Sequence, residues 1–171
     1  MKKTLQFINR MMKDGVIERY AIGGAVGATF YLEPAATVDI DIFVVLPGEK
    51  PGALVNLSGI YKYVKEYGYK PEKEHIVIAD WPVQFLTVAN TLDQEALDQS
   101  KETIVEGVKT WVMRAEYLAA IALRTGREKD HTRVQLFLVS DGFNMKKLLS
   151  ILHRHNLMAQ WFKHKAICEI H

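Results

Sequence analysis

Tyr20-Ala21-Ile22-Gly23-Gly24-Ala25-Val26-Gly27-Ala28, followed by Val38-Asp39-Ile40-Asp41-Ile42-Phe43-Val44-Val45-Leu46, decides the fold of this 171-residue chain. The second half is the clearest strand in the sequence, β-branched and apolar from Val38 to Leu46 and stopped by Pro47-Gly48. Side chains alternate along a strand, so Asp39 and Asp41 share one face while Ile40, Ile42 and Val44 point the other way, into a core. Two carboxylates about 7 Å apart on one face repel each other unless a positive charge sits between them. A divalent cation supplies that charge, and oxygen ligands with open coordination positions suit Mg2+ or Mn2+ holding substrate phosphates. Alternation alone also fits a solvated strand edge.

The glycines bear on that choice. Gly23-Gly24 directly follows the short apolar stretch Tyr20 to Ile22, and without a Cβ the backbone there can approach a ligand closely. Ala25 to Leu32 reads as a short helix closed by Glu33-Pro34, and its first amides and positive dipole end would face a phosphate. Tight strand–helix packing is the other reading of Gly-Gly-Ala-Val-Gly-Ala.

Together these elements resemble the nucleotidyltransferase superfamily, the DNA polymerase β-like fold. Its signature is a strand-terminal hydrophobic-Gly-Gly, a short helix, then Asp-hydrophobic-Asp-hydrophobic on a strand. Here it reads Ile22-Gly23-Gly24 and Asp39-Ile40-Asp41-Ile42, with fourteen residues, Ala25 to Val38, in between, a gap a little longer than usual. Gly24 stands where many members carry serine, the common Gly-Gly variant, and contributes backbone only. Tyr117-Leu118-Ala119-Ala120 and Thr125-Gly126-Arg127-Glu128-Lys129-Asp130 extend the likeness to small bacterial nucleotidyltransferase-like proteins. Some relatives of these are toxins or antitoxins of phage-defence (abortive-infection) modules. The resemblance spans residues 20 to about 140.

It implies an α+β fold: a nucleotidyltransferase-type mixed sheet flanked by helices and followed by a C-terminal helical segment. It also implies metal-dependent transfer of a nucleoside monophosphate from an NTP to an unknown acceptor. Asp39 and Asp41 would hold Mg2+ or Mn2+, and Gly23 and Gly24 would lie along the nucleotide. Catalysis would be mainly positioning and electrostatics. The family's third carboxylate comes from a neighbouring strand, and in Pro82-Val83-Gln84-Phe85-Leu86 that place falls to Gln84. An amide oxygen can coordinate, but it carries no charge and takes no proton from an attacking hydroxyl. Asp80 and Glu33 are the alternative carboxylates. Three outcomes stay open: a slow or single-metal enzyme, a carboxylate recruited from elsewhere, or a nucleotide-binding module that acts through a helical protein partner. Arg124, Arg127 and Lys129 crowd a helix junction, where similar proteins contact phosphate with basic residues, and an arginine there could clamp a phosphate bidentately. For Asp130 an Arg–Asp pair stapling two helices is the simpler reading.

Outward from this signature, Leu5, Ile8, Met11 and Met12 recur at helical spacing, predicting a first helix that ends near Asp14-Gly15. A further helix is predicted over Leu54 to Tyr67. Strands are expected over His75 to Ala79 and Val83 to Val88, with Asp80-Trp81-Pro82 as the turn. A helix should cover Leu92 to Gln99, and one or two strands Thr103 to Met113. From Arg114 the pattern is helical: Glu116 to Thr125, Asp130 to Val139, Met145 to Arg154 and Leu157 to Ile167. The expected organisation is an α/β core over 1–113 and a helical segment over 114–171 packed on it.

Composition limits the function classes. A net charge of +2, with no basic aromatic stripe, argues against a nucleic-acid reader. Cys168 is the single cysteine, so no internal disulfide forms, and it reads as a small buried hydrophobe. No apolar run is long enough for a membrane span, and Lys13, Asp14, Glu18 and Arg19 interrupt any signal-peptide core. A cytoplasmic protein is the expectation. His153, His155, His164 and His171 follow no metal-ligand spacing and read as a solvated or partner-facing tail. Trp111, Trp161, Phe137 and Phe162 read as core or interface aromatics.

Overall fold

The computed structural model describes residues 1–33, 39–48, 56–72 and 74–169. Among these, the strands are β1 (Arg19–Ile22), β2 (Ile40–Val45), β3 (Pro71–Glu72), β4 (His75–Ile78), β5 (Trp81–Thr87), β6 (Lys101–Val105) and β7 (Val108–Val112). They form one mixed sheet in the spatial order β3-β4-β5-β2-β1-β7-β6. β2 runs parallel to β5 and β1 parallel to β7; the remaining neighbours are antiparallel. The helices are α1 (Lys2–Lys13), α2 (Gly24–Ala28), α3 (Ser58–Glu66), α4 (Thr91–Asp98), α5 (Ala115–Thr125), α6 (Glu128–Val139), α7 (Met145–Arg154) and α8 (Met158–Glu169). This is the α+β arrangement the sequence predicts, a mixed sheet followed by helices. The expected strand residue Val38 and helix residue Leu54 lie outside the described residues, as does His171.

Each face of the sheet carries its own core. Ile40, Ile42 and Val44 of β2, with Ile76, Val83 and Phe85, bury against Leu5, Ile8 and Met11 of α1 and Ile60 and Val64 of α3. The alternation of β2 dictates this, because its isoleucines leave water while Asp41 stays on the opposite side. Each fully buried isoleucine contributes about 1.5–3 kcal/mol. α1 is also tied by a polar bond, the buried Thr4 hydroxyl donating to the Ile78 carbonyl at 2.9 Å. On the other face, Ala21, Phe43 and Met113 pack beneath Leu118, Ala119 and Ala122 of α5 and the later helices.

Two local expectations are corrected. α2 is shorter than Ala25 to Leu32: the Thr29 hydroxyl donates to the Val26 carbonyl at 2.7 Å, and such back-bonding competes with helix continuation. The turn between β4 and β5 is Ala79-Asp80, not Asp80-Trp81-Pro82. Both residues have positive φ, 47° and 75°, the geometry of a two-residue hairpin turn, and Trp81 and Pro82 already belong to β5. β3 is too short, at two residues, to show any periodicity. Glu106-Gly107 turns the β6–β7 hairpin in the same way, with φ of 49° and 79°.

Of the C-terminal histidines, His153 is exposed as expected, but His155 and His164 are not part of a solvated tail. His155 reaches Glu95 of α4 at 2.6 Å, and Glu95 also accepts from Tyr117 at 2.7 Å and from Arg154. Burial alone would raise the Glu95 carboxyl, but these three hydrogen bonds hold it down to about 2 and lock α4, α5 and α7 together. His164 is 1% exposed and stacks on His131 of α6, their ring centres 5.2 Å apart. Cys168 is half-buried beside it and receives a hydrogen bond from Gln135. Phe137 and Trp161 are core residues and Trp111 packs at its margin, whereas Phe162 is 61% exposed.

Candidate active site

The site begins where β1 ends. The Gly23 N–H donates to the Asp41 carbonyl at 2.9 Å, which carries the β1–β2 pairing past Ile22. That N–H is therefore occupied by the strand rather than presented to a ligand. A Cβ at Gly23 would stand 2.5 Å from the Phe43 ring. Gly24 is more constrained still: its φ is +55°, and a Cβ would lie 1.7 Å from Oδ2 of Asp41. The double glycine thus admits Phe43 and the Asp41 carboxylate where any larger residue would displace them.

Asp39, just before β2, and Asp41, within it, line a cleft of about 860 Å3. Gln84 pairs with Asp41 in the β2–β5 register and lines the same cleft. Phe43 and Leu86 lie deeper along the same strands; Leu118 and Ala122 of α5 contribute an apolar wall. The cleft also has a basic lining. Arg124, Arg127, Lys129 and Arg133 all line the cleft, so the basic residues singled out in the sequence join the aspartates, and Arg133 joins them unforeseen. Glu33 also lines it, whereas Asp80, in the β4–β5 turn, is not among the lining residues.

The basic groups are themselves held. Arg124 donates to Oδ1 of Asn90 at 2.8 Å and approaches Oδ1 of the buried Asp93 at 2.8 Å, off the hydrogen-bonding direction. Asp130, 1% exposed, accepts from Arg127 Nε at 2.7 Å and from Arg133 Nη1 at 3.1 Å. The Arg–Asp pairing is therefore local to α6 and its N-cap rather than a staple between two helices, and it fixes two guanidinium groups at the cleft. Arg127, Asp130 and Arg133 recur every third residue, so helical spacing carried the signal that would have found Arg133.

Burial, and after it the charge of Asp39, pushes the Asp41 carboxyl up to about 6, against the pull of Arg127, Arg133 and Lys129. An acid whose folded value lies above its unfolded 3.8 stabilises the fold fully below 3.8, and that contribution is lost as pH rises through about 6. The cost above pH 7 is on the order of 3 kcal/mol. Metal-free Asp41→Asn protein is expected to melt above the native protein at pH 7.5, with the gap narrowing at pH 5. Thermal unfolding at both values checks this; a pH-independent gap would show that the carboxylate is not strained.

These groups fit a divalent ion on one further ground, the donor set: two hard oxygen donors of like charge, one kept by Gly24 in a space a Cβ would fill. Among the described residues, no three His, Cys, Asp or Glu side chains are grouped so as to hold an ion by themselves. One neighbour was not singled out in the sequence. His75 of β4 places Nε2 at 2.8 Å from Oδ2 of Asp39.

No protein-family model and no curated protein matches the sequence. Solved structures do. The solution structure of the antibiotic-resistance factor ANT(2'')-Ia aligns over 99% of this chain and 98% of its own, at 13% identity and TM-score 0.56. The crystal structure of ANT(2'')-Ia in complex with adenylyl-2''-tobramycin aligns over 92% and 98%, at 12% identity and TM-score 0.54. A nucleotidyltransferase-like protein from Paracoccidioides brasiliensis aligns over 92% and 89%, at 12% identity and TM-score 0.55. The chain has the nucleotidyltransferase fold. At these identities the likeness concerns the fold alone, and the chain spans nearly the whole length of those neighbours. Within the nucleotidyltransferase fold seen here, Asp39 and Asp41 sit at the cleft edge of the sheet and the basic rim comes from the α5–α6 junction. Among the described residues no helix is long and apolar enough to cross a membrane.

Proposed function

We propose that the protein transfers a nucleoside monophosphate from an NTP to an acceptor that enters the cleft beside the triphosphate. The observation that carries this reading is one cleft lined both by Asp39 and Asp41 from the sheet and by Arg124, Arg127, Lys129 and Arg133 from α5, α6 and their junction. Asp39 and Asp41 would hold Mg2+ or Mn2+, which when bound neutralises triphosphate oxygens and polarises the α-phosphorus. Arg127 and Arg133, held by Asp130, would neutralise phosphate charge without having to be ordered on binding. Gln84, carrying no charge, would orient rather than accept a proton. The apolar wall formed by Leu118 and Ala122 would take the base or the acceptor's apolar face.

Pyrophosphate release from each NTP, with Mg2+ or Mn2+ and a panel of acceptors, tests the reading. Tobramycin belongs in that panel because a structural neighbour was crystallised with its adenylylated form. Silence with every NTP, and no nucleotide binding by calorimetry, would sink it. Lys129→Ala is expected to raise KM for NTP about tenfold with kcat little changed, because it removes one charge-assisted phosphate contact. Steady-state kinetics separate the two constants.

A second reading is a nucleotide-binding module that acts through a helical protein partner, as in a bacterial toxin–antitoxin pair. Gln84 favours it, as do the exposed apolar side chains Val139, 81% exposed, and Phe162. It predicts nucleotide binding without turnover and a stable complex with the partner.

A further inference from the structure

The Asp39–His75 contact joins residues 36 positions apart and comes from the strand beyond Gln84. Strand pairing places it there. Asp41 pairs with Gln84 and Ile76 pairs with Val83, so His75 stands next to Gln84 in the following step of the ladder. Ile76 and Ile78 are buried against α1 and α3, so alternation turns His75 to the face that carries Gln84 and Asp41. The row across three strands then reads His75, Gln84, Asp41, with Asp39 one alternation away from Asp41.

Asp39 lies outside the strand hydrogen-bond ladder at its N-terminal edge, and its side chain is 31% exposed. A half-exposed carboxylate there loses rotamer freedom when an ion binds, unless something already holds it. Carboxylates that ligate metals are themselves hydrogen-bonded, and those partners set metal affinity. As a surface ion pair the His–Asp contact would contribute little to stability. Its placement beside the aspartate pair gives it a different consequence.

We propose that His75 is a positioning residue of the nucleotidyl-transfer site: its Nε2–H holds Oδ2 of Asp39 and presents the carboxylate to the metal and triphosphate in one orientation. This inference rests on the metal–phosphate reading of the cleft.

The test is Mn2+ binding by the full chain, followed by electron paramagnetic resonance, with the metal alone and with α,β-methylene-ATP. His75→Ala is expected to weaken Mn2+ binding about tenfold or more. His75→Gln, whose amide nitrogen donates from a similar reach, is expected to restore most of it. Circular dichroism and melting temperature show that both variants fold. Unchanged affinity in His75→Ala overturns the proposal, as does a His75→Gln protein as weak as the alanine variant. Electron spin-echo modulation from a directly bound imidazole nitrogen, lost in His75→Ala, also overturns it, since His75 would then be a ligand. Native protein that takes up no Mn2+, or Asp39→Ala protein that binds it as well as native, removes the metal–phosphate reading itself. Those results are distinct from a failure confined to His75.

Discussion

Asp39→Ala and Asp41→Ala are each expected to lower pyrophosphate release by about a thousandfold or more, because each removes a charge aimed at the phosphates. The protein should remain folded. The Asp41 carboxylate is pushed up to about 6 by burial first and by Asp39 second, so its charge at neutral pH works against the native state. Removing it relieves that cost, and the metal-free variant should be no less stable than native at pH 7.5. Activity and stability therefore move in opposite directions, which separates loss of the site from loss of the fold. Pyrophosphate release, calorimetry with Mg2+ and NTP, and thermal unfolding on the same preparations check this. Undiminished NTP affinity in the double alanine variant would mean that the carboxylates do not hold the triphosphate.

Gly24→Ala is expected to have the second-largest effect. The backbone at Gly24 has φ of +55°, where an L side chain costs about 1–2 kcal/mol. The new methyl would stand 1.7 Å from Oδ2 of Asp41, so either the carboxylate or α2 must shift. A displacement of about 1 Å at a reacting centre costs about a hundredfold in rate. Gly15→Ala supplies the control: its φ is +73°, and nothing lies within 4 Å of the added atom. It should show the backbone cost alone, with turnover intact. Melting curves and initial rates of the two variants check the difference. Equal activity losses would mean that Gly24 acts through backbone conformation only.

The legible parts of this protein are those whose information is local. The 2-residue alternation of Ile40, Asp41 and Ile42 told which side of β2 faces the core, because a strand has no third direction in which to put a side chain. Leu5, Ile8 and Met11 did the same for α1 through the helical period. Gly126, Ser140-Asp141-Gly142 and His155-Asn156 interrupt the helical period where α5, α6 and α7 end. Where local bonds compete, periodicity misleads. Thr29 ends α2 early by bonding to the Val26 carbonyl, and two consecutive positive-φ residues move the β4–β5 turn one residue toward Ala79. Neither event leaves a periodic trace.

Gly23-Gly24 and Asp39-Ile40-Asp41 pointed to the fold through their resemblance to the nucleotidyltransferase signature, and strand alternation put both aspartates on one face because it acts within a few residues. Only the tertiary structure decided why the glycines are there, since Phe43 and the Asp41 carboxylate that fill their space arrive from a neighbouring strand. It likewise decided that Arg133 joins Arg127 on the buried Asp130, that His164 is stacked within the core, and that His75 meets Asp39. Those contacts span between 3 and 36 positions of chain, and most depend on how whole strands and helices are registered. Registry is set by the sum of many buried contacts, and no single stretch of residues contains it.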